Sequence, residues 1–209
     1  MMKLLNSKNS PYGRKTMIVA HALGLAEHIS VVPTDTRADE KMLRSHNPLG
    51  KIPTLITDDG VAIADSFAII LYLQKLAGSD KFFPCDIKLQ YQVMRYHAIA
   101  DGICNAVVLM VQNKMRKEET AGIPLDDKWI KRQIAAVNSG IDFMAKHFNN
   151  MAPQDAEELN IVAIALLTGL DYLDFRFPDW GWQSKYQDLS QWRNKMHQNP
   201  FIAKTTKPF

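Results

Sequence analysis

The spacing of apolar residues changes character once along this 209-residue chain, and that change limits what the chain can fold into. Up to residue 77, short apolar runs alternate with helical stretches. After residue 85, the apolar residues fall on helical stripes. In the first part, Lys3–Asn6 reads as a strand. Ser10–Leu23 reads as a helix: Ser10 suits the cap, Pro11 the first position, and Gly24 the stop. Ile29–Val32 is a second strand, ended by Pro33. Asp35–Arg44 is polar and predicts a short exposed helix. Thr54–Thr57 and Val61–Ala64 flank Asp58-Asp59-Gly60, a hairpin signal. Ser66–Leu76 is apolar on most sides and predicts a buried helix. The order β-α-β-α-β-β-α predicts an α/β domain over residues 1–77.

Residues 78–85, GSDKFFPC, lose all periodicity and read as a linker. Beyond them, Leu89, Val93, Tyr96, Ala100, Ile103, Val107 and Met110 recur at spacings of about four and three. Ile130, Ile134, Val137, Ile141, Met144 and Phe148 do the same. Two such stripes predict a packed antiparallel helix pair. Leu159–Leu173 predicts a third helix, and Leu189, Trp192 and Met196 mark a last one. An all-α helical-bundle domain is expected over residues 86–209.

Hydrophobic residues make up 46% of the chain, enough for a real core. The net charge of +3 is spread along the chain without a basic block, so no nucleic-acid partner is expected. The apolar run Ile161–Leu167 is too short to span a bilayer, and Leu4-Leu5 stops at Asn6, unlike a signal peptide. No membrane association is expected. Cys85 and Cys104 are too few for a disulfide framework, which suits the cytoplasm. The six histidines lack metal-ligand spacing, so no metal is expected. G-x-S-x-G and G-x-G-x-x-G are absent. Gly50-Lys51 lacks the Ser or Thr and the earlier glycine of a P-loop.

Five segments carry more. They are NSPYGRK (9–15), NPLGKIPTL (47–55), ADSFAIILYL (64–73), ADGICNA (100–106) and NIVAIALLTGLDYLDFRFPDW (160–180). On local grounds Ser10 and Asp65-Ser66 are helix caps and Pro53 is a proline at a strand edge. Together, in this order, the segments resemble cytosolic glutathione transferases over nearly the whole chain, most closely a bacterial YibF-like type. The resemblance implies a thioredoxin-like N-terminal domain followed by the helical domain. NSPYGRK is also similar to the C-P-Y-C turn of glutaredoxins, with Ser10 and Gly13 in place of the cysteines.

The resemblance further implies glutathione as co-substrate and assigns its site. A cis Ile52–Pro53 bond would turn the Ile52 backbone towards the tripeptide. Ser66 and the helix start would hold the γ-glutamyl carboxylate, and Asp65 would face the ammonium. Asp is shorter than the family's more frequent Glu, so a water can intervene. Arg37, Lys41 and Lys51 are all candidates for the glycine end. Ser10 would donate to the sulfur, with Asn9 as the next candidate and Ser7 after it. A thiol of pKa ~8.5 is only a few per cent ionised at pH 7, and lowering it by ~2 units requires about 2.7 kcal/mol. A hydrogen bond to a charged group supplies ~1.5–3 kcal/mol and the helix end ~0.3–1 kcal/mol, so no further base is required.

Gly13 is expected to leave space over the sulfur. Asn160 and Ala163 replace a Thr/Asp capping box, so Asn160 should cap without the reciprocal bond. The implied reaction is attack on a small-molecule electrophile or peroxide in a detoxifying role. The second substrate would bind between the domains, near Tyr12 and the helix carrying Ile99–Val107. A homodimer is implied as well. The alternative is a non-catalytic binding or regulatory protein of the same fold, as stringent starvation proteins are. Ser10, Ile52-Pro53 and Asp65-Ser66 favour the enzyme.

Overall fold

The computed structural model describes residues 1–119, 127–150 and 158–205. The expected helical domain, 86–209, therefore includes 120–126, 151–157 and 206–209, which lie outside the described residues. The chain forms two units: residues 1–85 with the C-terminal segment from 199, and residues 86–198.

In the first unit, β1 (Met2–Asn6), β2 (Ile29–Pro33), β3 (Thr54–Ile56) and β4 (Ala62–Ile63) form one mixed sheet in the order β2-β1-β3-β4. β1 runs parallel to β2, and β3 pairs antiparallel with β1 and β4. The helices are α1 (Pro11–Ala22), α2 (Glu40–His46) and α3 (Ser66–Leu76). The element order is the predicted β-α-β-α-β-β-α. Met2, Leu4, Ile29 and Leu55 of the sheet bury against Ala20 of α1 and Ile69 and Leu73 of α3. Their alternation with outward residues is the period-2 signature of a strand with one face in the core.

Two local expectations change. Residues 35–39 form a turn instead of the first half of a helix. Asp35 Oδ1 accepts from the N–H groups of Arg37 and Ala38, and Asp39 Oδ2 accepts from the Asp35 N–H. Carboxylates that bond nearby backbone in this way compete with helical bonding. Residues 78–85 carry no helix or strand, yet Phe82 and Phe83 are buried. The buried Gln74 amide of α3 accepts from both phenylalanine N–H groups and donates to the Phe83 carbonyl. This segment is anchored to the first unit.

The second unit contains α4 (Ile87–Glu119), α5 (Asp127–His147), α6 (Ile161–Arg176), α7 (Trp182–Lys185) and α8 (Gln187–Met196). Ala100, Ile103, Val107 and Met110 of α4 and Val137, Ile141 and Met144 of α5 are buried. Leu89 and Ile134, counted on the same stripes, are exposed. Every residue of α6 from Ile161 to Leu173 is buried, so this largely apolar helix is central to its unit. Asn160 caps it by accepting from the Ala163 N–H at 2.8 Å, as expected. The Arg193 guanidinium joins Asp171 and Asp174 at 2.6 and 3.0 Å and ties α8 to α6.

After α8 the chain returns to the first unit as α9 (Pro200–Ala203), capped by Asn199. Ile202 is buried, and Arg14 Nε of α1 donates to Thr205 Oγ1 at 3.4 Å. The sequence reading gave this last segment to the helical domain. Its partners on α1 are more than 180 positions away, and a local pattern cannot contain them.

Candidate functional site

β1 ends at Asn6, and the turn of residues 7–10 leads into α1. The Ser10 N–H donates to the Ser7 carbonyl at 3.0 Å and closes that turn. Ser10 is the N-cap, with extended φ −83° and ψ 117°, and its Oγ accepts from the Gly13 N–H at 3.2 Å. Pro11 at the first helical position has no N–H to satisfy. The helix-cap role therefore exists. It uses one lone pair of Oγ, and the hydroxyl still carries a proton to donate. Ser10 is 8% exposed. Asn9 is half-buried, and its N–H donates to Ser7 Oγ at 3.4 Å.

Gly13 does not leave open space. A Cβ built there would overlap the Oδ1, Cγ and Nδ2 atoms of Asn6. The Asn6 amide fills the space beside Gly13 that the sequence leads one to expect open. Arg14 and Lys15 follow, both buried, with Lys15 Nζ 5.9 Å from the centre of the Tyr12 ring.

The Ile52–Pro53 peptide is cis, and so is Ala64–Asp65. Pro53 is buried and Ile52 half-buried. Two residues that the sequence reading gave no role hold this loop. Asn47 Nδ2 donates to the Lys51 carbonyl at 2.9 Å and to Thr54 Oγ1 at 3.2 Å. Thr54 Oγ1 donates to the same carbonyl at 2.9 Å. Both side chains are buried. The Asn-Pro pair opening NPLGKIPTL was the available signal, since Asn bonds its own following backbone in turns.

Asp65 is the N-cap of α3 and Ser66 its first residue. Asp65 Oδ1 accepts from the Phe67 N–H at 2.9 Å and from the Ala68 N–H at 3.4 Å. Both bonds use one oxygen, which leaves Oδ2. Asp65 is exposed and Ser66 buried. Arg37, Lys41 and Lys51 are exposed. Among the described residues no group of three or more His, Cys, Asp or Glu could hold a metal ion, and no helix is long and apolar enough to cross a membrane.

The sheet face away from α1 and α3 carries a groove of about 570 Å³. Leu5, Val32, Ile56, Met42 and His46 are among its lining residues, and none of the candidate residues above is. α2 beside it has seven residues and buries only Leu43.

Residues 9–76 match the family model for the glutathione S-transferase N-terminal domain. The chain is 27% identical over 208 residues, 99% of each chain, to the uncharacterized GST-like protein YibF of Escherichia coli K12. A glutathione S-transferase from Methylobacillus flagellatus KT, crystallised with GSH bound, is 30% identical. It superposes with a TM-score of 0.86 over 98% of both chains. A glutathione transferase family member from Pseudomonas fluorescens Pf-5 with bound glutathione is 27% identical, with a TM-score of 0.85 over 100% of both. The likeness runs nearly from end to end of the chain, and the chain belongs to the glutathione S-transferase family.

Proposed function

We propose that this protein is a glutathione transferase in which the Ser10 hydroxyl stabilises the thiolate of bound glutathione. The observation that carries the reading is the geometry of that hydroxyl. Ser10 caps α1 as an acceptor, and its proton is available to a group arriving at the helix end. Glutathione supplies the sulfur nucleophile: a carbon–sulfur bond forms at the electrophile and the leaving group departs with its electron pair. With a peroxide the thiolate sulfur takes one oxygen as the O–O bond breaks and the alkoxide leaves, and a second glutathione then displaces water to give glutathione disulfide.

Each remaining residue meets a different part of the tripeptide. The Ser66 hydroxyl and the N-terminus of α3 suit the γ-glutamyl carboxylate. Asp65 Oδ2, not used in capping, suits the ammonium. The Ile52 backbone beside Pro53 pairs with the cysteinyl residue. Asn9 is the second donor to the sulfur. The bound glutathione of the two similar structures supports glutathione as the ligand.

The assembly proposed is a homodimer in the cytoplasm. Ile87, Tyr91 and Met94 lie at i, i+4 and i+7 on α4 and are 70, 57 and 44% exposed. Such a stripe on a helix surface calls for a partner. Sedimentation should give twice the 23.7 kDa monomer mass.

The reading is tested by calorimetric titration with glutathione, then by the ultraviolet thiolate absorbance of the complex against pH. Binding with a thiol ionised well below pH 8.5 is expected. No binding at millimolar glutathione would sink the reading.

A further inference from the structure

We propose that Asn6 is a positioning residue for Ser10. Its buried amide seats the first turn of α1 against the end of β1 and so sets where the Ser10 hydroxyl stands. The consequence for glutathione rests on the function proposed above; the positioning itself does not.

The backbone of Asn6 belongs to the sheet, where its carbonyl accepts from the Thr34 N–H at 2.9 Å. Its side chain turns to α1. It is 7% exposed, and Oδ1 is buried with no hydrogen-bond partner. The amide lies where a Cβ of residue 13 would be, and only glycine admits it. Gly13 is also the residue whose N–H is held by Ser10 Oγ. A continuous chain of contacts thus runs from the end of β1, through the Asn6 amide and the Gly13 backbone, to the Ser10 hydroxyl.

Neither residue serves stability alone. Glycine in a helical turn is less favourable than alanine, and a buried amide atom without a partner is less favourable than an apolar one. An apolar residue at position 6 facing an alanine would fill the space without either cost. What the observed pair provides is close approach, an amide resting on a backbone with no side chain between. That spacing decides how the capped N–H, and with it Ser10 Oγ, is presented.

The test uses a thiol as reporter. In the background Ser10→Cys with Cys85→Ser, the iodoacetamide alkylation rate against pH gives the ionisation of the introduced thiol. That thiol stands at the helix start and needs no glutathione. Gly13→Ala in this background should raise its pKa by about one unit, within the range that helix starts impose on thiols. Adding Asn6→Ala relieves the overlap but also removes the positioning amide, so the pKa should fall back only as far as the value of Asn6→Ala alone; a full return to the background value would mean that the pair only packs. Asn6→Ala alone should move it by a smaller amount. The bound thiol of glutathione in the Ser10 protein should shift in the same directions. A lowered melting temperature with unmoved thiol titrations would mean that the pair only packs, and would overturn the proposal. If Gly13→Ala does not fold, Asn6→Ala decides by the same criterion. Failure of the wild type to bind glutathione would overturn the proposed function and leave the introduced thiol to judge Asn6.

Discussion

Two helix starts in the first unit carry the candidate chemistry, and they are capped in opposite ways. α1 is capped by a neutral hydroxyl that is 8% exposed, and α3 by an exposed carboxylate. The positive end of α1 keeps its partial charge for an incoming anion such as a thiolate. At α3 the carboxylate already answers that charge with Oδ1, and Oδ2 can face a cation. The α3 start therefore suits a zwitterion and the α1 start suits an anion alone. Glutathione offers both, an amino-acid end and a thiol.

The largest break of this contrast is Ser10→Asp. Asp caps a helix as well as Ser does, so the fold should survive. A carboxylate beside the sulfur should raise the bound thiol's pKa by about 2 units or more and suppress turnover at neutral pH. Thiolate absorbance checks it, and an unchanged titration would mean that the sulfur sits elsewhere.

Asp65→Asn comes next. It keeps the cap and removes the charge, so the melting temperature should hold. Glutathione affinity should fall by about tenfold to a hundredfold, the worth of a charge-assisted bond. Calorimetry separates this from Asp65→Ala, which should also lose about 1 kcal/mol of stability with the cap. Equal affinity in Asp65→Asn and wild type would remove the ammonium assignment.

Ser10→Ala sharpens the α1 side. It should raise the bound thiol's pKa by about one unit or more while most of the affinity remains. Coincident absorbance curves would leave Ser10 as a cap only and pass the sulfur to Asn9 or to backbone N–H groups.

The smallest effect concerns the other end of α1. His21 lies in its last turn, and partial burial, then Lys204, holds its pKa below the ordinary 6.5. The folded state thus binds its proton less readily than the unfolded state. The native state pays nothing above pH 6.5, and stability is lost as pH falls through 6.5 towards the folded value. His21→Gln should make the decline of the melting temperature between pH 7 and 5 slightly shallower. An identical decline in both proteins would show that other groups set it.

Much of this was legible locally. Both helix starts were, because a cap bonds N–H groups two or three residues away and its chemistry sits within one turn of sequence. The hairpin was also legible, since Asp59-Gly60 and Thr57 act within five residues, with the Thr57 N–H reaching the Val61 carbonyl. The helix predicted at Asp35–Arg44 begins only at Glu40, because two aspartates bond the backbone of their own turn, a competition that apolar spacing does not register. Leu89 falls on the apolar stripe of α4 and is nonetheless exposed, because periodicity identifies a face and not its partner.

By itself, the sequence determined the order of elements as far as α3, the single change of period, and which residues stand at the starts of α1 and α3. All of these follow from bonding within a few residues and from the alternation of apolar side chains. Only the tertiary structure decided that Asn6 fills the space over Gly13, that Asn47 and Thr54 together hold the loop before Pro53, that Gln74 anchors Phe82 and Phe83, and that α9 returns to α1. Apart from the two bonds to the Lys51 carbonyl, which span four and three positions, these contacts join residues between seven and nearly two hundred positions apart. Their energies depend on close packing and directed hydrogen bonds, which exist only once the elements have been brought together.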